Sequence, residues 1–223
     1  MAAWMKQHGV LRGERVTDVG SGPRVHVTGL SDQLHDVFVT RSKRIHESRH
    51  RLPEKLLQAI ATFGEAEKFT EQGSKRWAVI RNDLGTALQT LGSREGDDAT
   101  LREAAAAFED ALSVTSFETS PVEWAGTQGN LGVVLMRLGM REQGTENLEA
   151  AREAFEASRD ALQRDDAPLD WARAQGNLGN VLHILGDRSG EASLYQLAVD
   201  AHRASLEELR REIVPLDWAT AQN

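Results

Sequence analysis

The pentapeptide His46-Glu47-Ser48-Arg49-His50 has the H-E-x-x-H form of zinc peptidases. In that pattern two histidines one helical turn apart hold the metal, and the glutamate between them acts as base. His46 and His50 are therefore this chain's candidate metal ligands, with Glu47 as the base of a small zinc-dependent hydrolase. A third ligand would have to come from Glu65 or Glu67, which nothing in the sequence marks out. Arg49 and Arg51 bring positive charge near a would-be dication, and Pro53 follows at once. A solvated turn accounts for the segment better than a metal site. No phosphate-binding loop, Ser-His-Asp set or paired-carboxylate cleft is present in the pattern. No catalytic residue, metal or cofactor is expected.

The elements that would have to position such groups are set by a repeat. Trp77, Trp124, Trp171 and Trp218 are spaced by 47 residues. Each of the first three is followed by a Leu-Gly pair (Leu84-Gly85, Leu131-Gly132, Leu178-Gly179) and then by a second one (Leu91-Gly92, Leu138-Gly139, Leu185-Gly186). Pro121, Pro168 and Pro215 stand three positions before their tryptophan. A fixed period of this length means stacked supersecondary units. Within 122–138, Trp124, Leu131, Val134, Leu135 and Leu138 form an apolar stripe at helical spacing. Pro121 suits a first helical position, and Glu123 and Asp170 suit the positive end of a helix dipole. Gly139 and its equivalents are expected to end this helix, helix A, in a left-handed residue. After a polar turn, helix B runs through Leu148, Ala151, Ala154, Phe155 and Leu162. Gly85, Gly132 and Gly179 fall inside helix A, where each costs about 1 kcal/mol against alanine. A cost taken in every repeat needs a packing reason: two helix axes too close for a Cβ. The repeated tryptophans are expected in the core, and Arg94, Arg141 and Arg188 in solvated turns, the alternatives being bonds to the last carbonyls of helix A or pairing with acidic residues.

These residues resemble the tetratricopeptide repeat family. Its helix A carries a Leu-Gly pair with a large residue three positions on, as in Leu131-Gly132 and Leu135. Its helix B pattern of alanine, aromatic and small residue is matched by Ala104-Phe108-Ala111 and Ala151-Phe155-Ser158. In the third repeat Ala198-His202-Ser205 departs from it. The period is also longer than the family's usual 34. The resemblance implies an all-α fold, an α-solenoid of antiparallel helix pairs in a right-handed superhelix. It also implies a non-catalytic protein–protein interaction scaffold, of the kind attached to bacterial signalling or effector domains. In the family, one face of helix A lines a concave groove in which asparagine holds the backbone of an extended peptide. Carried onto this chain, that face gives Asp83, Thr86, Gln89, Asn130, Val133, Arg137, Asn177, Asn180 and His183 as peptide-binding groove residues. A side-chain amide suits the task because it offers both a donor and an acceptor. The alternative for Asn130 and Asn177 is a structural tie between adjacent repeats.

The frame divides the chain into a leader at 1–27, a degenerate helix pair at 28–74 and repeats at 75–121, 122–168 and 169–215. Residues 216–223 then start an incomplete repeat. In the degenerate unit helix A is expected at 31–44, and helix B over 54–70 with Leu56, Leu57, Ile60, Phe63 and Phe69 on its apolar face. Residues 45–51 fall in the turn between them, where the ligand geometry of His46 and His50 would be lost.

The opening at Trp218 raises self-assembly through that end, as a homodimer, as the alternative function. Net charge is −8, yet residues 1–52 hold 9 Lys/Arg against 5 Asp/Glu, whereas 53–223 hold 17 against 29. The basic residues of the leader are scattered, so nucleic acid is not the expected partner; a protein or peptide is. With no cysteine among 223 residues, disulfides and thiolate chemistry are excluded. No apolar run has the length of a membrane span or signal peptide, which makes the cytoplasm the expected location.

Overall fold

The computed structural model of the chain describes residues 53–209. All regular elements among them are helical: α1 (53–68), α2 (Lys75–Glu95), α3 (Asp98–Val114), α4 (Pro121–Arg141), α5 (Glu146–Ala161), α6 (Pro168–Ser189) and α7 (Ala192–Glu208). His46, Glu47, His50, the leader, the helix expected at 31–44 and the further repeat at Trp218 lie outside the described residues.

Local chemistry explains where the helices start and stop. The Ser74 hydroxyl accepts a hydrogen bond from the Trp77 N–H and opens α2. Asp97 accepts from the Ala99 and Thr100 N–H groups at 3.1 and 3.2 Å and opens α3. Pro121 and Pro168 occupy the first turns of α4 and α6, where a missing N–H leaves no bond unmade. Gly96 and Gly190, at φ 74° and 73°, end α2 and α6 in the left-handed conformation. The expected cap glycines therefore have another role, because α2, α4 and α6 continue past Gly92, Gly139 and Gly186. In α1 the helix stops at 68, and Phe69 is 88% exposed rather than part of the apolar face. A turn closes there, with the Phe69 and Thr70 N–H groups donating to the Ala66 and Glu67 carbonyls.

Neighbouring helices pack in pairs, α2 with α3, α4 with α5 and α6 with α7, and each pair meets the next through α3–α4 and α5–α6. The internal glycines create the pairing. A Cβ on Gly85 would lie 2.8 Å from the Phe108 ring, one on Gly132 2.7 Å from Phe155, and one on Gly179 2.7 Å from the His202 imidazole. The second glycines repeat the device nearer the turn. A Cβ on Gly139 would lie 2.8 Å from Leu148, and one on Gly186 3.2 Å from the Tyr195 ring. Phe108 and Phe155 are fully buried in these notches. Burying such a ring contributes about 1.5–3 kcal/mol, which outweighs the ~1 kcal/mol that a helical glycine costs.

The interior is shared between pairs. Leu84, Leu88, Leu101 and Phe108 of the first pair form one cluster with Leu131, Val134 and Leu138 of α4, and Ile60 and Phe63 of α1 pack against it. Leu148 and Phe155 of α5 do the same with Leu178, Val181, Leu182 and Leu185 of α6. Leu135 touches both clusters. Polar ties reinforce the joins. Arg141 pairs with Asp98 of the preceding pair, and Arg188 donates to the Gly144 carbonyl. These two arginines thus link pairs, Arg141 by the acidic pairing given as an alternative to a solvated role. The Thr127 hydroxyl reaches Asn82 at 3.3 Å, and Arg164 bridges Glu207 and Glu208. Within pairs, buried Ser158 and Ser205 donate to the Ala125 and Ala172 carbonyls at 2.8 and 2.7 Å.

The tryptophans divide. Trp77 is buried, its indole N–H donating to Glu67 of α1 at 3.1 Å. Trp124 and Trp171 are half-buried beside Ala161 and Leu162. They stand in the first turn of their helices, where Phe117 meets Trp124 edge-on and the Arg164 guanidinium lies 4.8 Å from the Trp171 ring.

Two alanine substitutions separate the notch from ordinary helix propensity. Gly132→Ala must displace the Phe155 ring, an overpacking cost of about 1–3 kcal/mol, and is expected to lower the urea midpoint. Gly126→Ala, whose Cβ would meet nothing within 4 Å, is expected to raise it by up to about 1 kcal/mol of stability. Equal effects of the two changes would remove the notch as the basis of pairing.

Candidate functional site

The repeats are not identical where α4 and α6 approach. At the positions occupied by Val79 and Asn82 in α2, α4 carries Gly126 and Gly129. A Cβ at Gly126 would enter open space, and one at Gly129 would touch Ser158 Oγ at 3.4 Å, an ordinary contact. Gly126 thus takes the cost of a helical glycine without an internal partner to justify it. The space it leaves is a cleft of about 310 Å³ between α4 and α6, with Ser158 of α5 and Leu162 just beyond it also lining it.

Asn130 and Val133 line this cleft from α4, and Asn177 lines it from α6. The two amides come from equivalent positions of successive pairs and flank the opening made by the glycines. Neither makes a side-chain hydrogen bond among the described residues, so the tie between repeats proposed for them is not made. That task falls to Asn82 with Thr127. The amide donors and acceptors are half-buried and uncommitted, which equips them for a ligand's backbone. Asp170 and Arg173, 3.5 Å apart, supply a balanced pair of charges at the α6 side.

The remaining groove residues do not line this cleft. Asp83 and Thr86 are exposed on α2, where the Thr86 hydroxyl donates to the Asn82 carbonyl at 3.0 Å, and Gln89 is half-buried. Arg137 is exposed on α4, one turn beyond Val133. Asn180 is half-buried on α6, and His183 is exposed. Gly126 and Gly129 were the missed residues. Gly126 was signalled by a break in the repeat, since Val79 and Arg173 occupy its position elsewhere, whereas Gly129 recurs as Gly176.

His183 belongs to a polar group at the third pair. Its Nε2 stands 3.8 Å from Asp187, whose carboxylate accepts a hydrogen bond from the Tyr195 hydroxyl at 2.9 Å. That bond raises the pKa of the phenol. The His183 and Tyr195 rings meet edge-on at 5.7 Å. His202, in the notch that holds phenylalanine in the other pairs, has a buried Nδ1 without a partner. Burial first, and the nearby His183 second, hold its pKa below the ordinary histidine value. Among the described residues no group of three or more His, Asp or Glu side chains is placed to hold a metal ion. No helix among them is long and apolar enough to cross a membrane.

No protein-family model matches this chain, and no curated protein matches its sequence.

His202 makes the third pair sensitive to acid. Its folded-state pKa is depressed, so the unfolded chain takes up the proton first, near the unperturbed value of about 6.5. The associated stability is full above that pH and is lost as pH falls through the folded-state value. Urea unfolding across the acid range should show His202→Phe increasingly more stable than the parent below about pH 6.5. A pH-independent difference would contradict this assignment.

Proposed function

We propose that this chain is a non-catalytic interaction scaffold of tetratricopeptide type, whose helix pairs continue as a right-handed α-solenoid. It holds an extended peptide or protein segment along the face formed by successive A helices. One observation carries this reading: Asn130 and Asn177, which make no side-chain hydrogen bond among the described residues, flank a cleft opened at Gly126, a helical glycine whose missing Cβ faces open space. Asparagine amides can pair with a peptide backbone whatever its side chains, so such a site secures a segment while neighbouring surfaces select it. The cleft's volume, about 310 Å³, stands at the lower end of the range for small-ligand pockets. It suits a stretch of backbone with one or two side chains. The repeat pattern supports the solenoid, because a helix pair that shares its interior with both neighbours stacks linearly. The reading needs no cofactor and places the scaffold in a cytoplasmic signalling or effector assembly.

Peptides selected from a random phage-displayed library on the full chain provide the test. Changing Asn130 and Asn177 together to alanine should weaken their binding about tenfold or more, the effect of losing over 1.4 kcal/mol. The circular dichroism spectrum should stay that of the parent, with stability within about 0.5 kcal/mol, because these amides hold no internal bond. Unchanged affinity in the double variant would sink the proposal.

A further inference from the structure

The cleft between α4 and α6 does not end at its own rim. Val122 and Leu162 line it and also line a second hollow, of about 390 Å³, between the loop that precedes α4 and the loop that precedes α6. The second hollow is apolar where Phe117, Val122, Ala161 and Leu162 meet. Phe117 is 48% exposed and Val122 55%. Phe117 is nevertheless held, its ring edge-on to Trp124 at 6.3 Å. Two adjoining exposed apolar side chains at the mouth of a preformed hollow are a surface awaiting cover.

The rim gives that surface a sign. Glu118, Asp160 and Asp166 line the hollow, and none of its described lining residues is a cation. Asp160 is paired with Arg159 at 2.7 Å, outside the lining. Glu118 and Asp166 have no ion-pair partner among the described residues. Hydrogen bonds from the Glu118 backbone N–H first, and from the Ser116 hydroxyl second, favour the charged form of the Glu118 carboxylate. In the first cleft Asp170 and Arg173 offset each other. Negative charge is therefore concentrated around the exposed phenylalanine.

We propose that the two hollows form one continuous docking surface, and that its occupant is an extended protein segment carrying a large apolar side chain beside lysine or arginine. The proposal rests on the reading of the first cleft as a peptide site and adds the chemistry of the partner. Asn130 and Asn177 take the segment's backbone. Its apolar side chain covers Phe117 and Val122, and its cation meets Glu118 and Asp166. An apolar anchor supplies the binding, whereas the carboxylates orient the segment and reject acidic ones. A second copy of the repeat region is disfavoured as occupant, because residues 53–223 carry 29 acidic side chains against 17 basic.

The random phage-displayed library, panned on the full chain, tests this through what it enriches. Enriched peptides should place lysine or arginine next to leucine, isoleucine, methionine or phenylalanine, and their anisotropy-measured affinity should fall as salt rises. The combined variant Glu118→Gln, Asp160→Asn, Asp166→Asn should weaken them about tenfold or more and flatten the salt dependence. Phe117→Ser should weaken them at all salt concentrations. Enrichment of acidic or purely polar peptides, or equal affinity for the charge-neutralised variant, overturns the inference. Salt dependence in the parent alone decides the matter if that variant fails to fold. Suppose the Asn130→Ala, Asn177→Ala variant loses affinity while the charge-neutralised one keeps it. The first cleft then stands and this inference falls. The reverse pattern keeps the acid-rimmed hollow and removes the amide reading. Absence of any enriched peptide overturns both.

Discussion

The contact between a helical glycine and an aromatic or aliphatic side chain of the next helix sets the geometry of every pair. Where Gly132 faces Phe155, the absence of a Cβ lets the ring lie against the backbone of α4, and the two axes come close enough to exclude water between them. Leu138-Gly139 against Leu148 repeats the contact nearer the turn, so each pair is fixed at two points. Two points define an angle as well as a distance. The apolar residues left on the far side of α3 and α5 are then presented to α4 and α6, which is why the clusters run across pair boundaries. No pair could bury its interior alone.

Departures from the repeat become informative against that constraint. Ser158 and Ser205 stand where the first pair has Ala111, and each adds a buried bond to a helix A carbonyl. The third pair exchanges phenylalanine for His202 and leucine for Tyr195, bringing titratable groups into notches that are apolar elsewhere. The second pair has Gly126 and Gly129 where the first has Val79 and Asn82. The serines bind inward. Gly126 opens outward, toward amides that make no side-chain hydrogen bond among the described residues. Gly126 weakens its own helix and packs against nothing, and the proposed site is built on that opening.

The proposed scaffold role draws on the contrast between a closed interior and an open seam. The interior is satisfied by leucine, alanine and phenylalanine, with few polar atoms left over. The seam between α4 and α6 and the loops before them hold what the interior lacks: amides without a side-chain hydrogen bond among the described residues, exposed large apolar side chains, and the carboxylates of Glu118 and Asp166, which have no ion-pair partner among those residues. In the proposed binding role, apolar area sets affinity while charge sets orientation and partner choice.

Most of the helical layout was legible in the residues. The period placed the pairs, Pro121 and Pro168 marked helix starts, and Gly85, Gly132 and Gly179 announced a close approach whose partner was their own helix B. What could not be read was which glycine closes a contact and which ends a helix or opens a space. Gly139 and Gly190 have the same composition signal, yet one faces Leu148 inside a helix and the other sits at φ 73° beyond one. Nor could the sequence tell that Asn130 is uncommitted while Asn82 ties two pairs. A periodic pattern records which face of a helix is apolar, because that depends on spacing along one chain. Whether a polar side chain finds a partner, or a missing Cβ leaves a cleft, depends on atoms about 47 residues away in sequence, and only the packed pairs bring those atoms together.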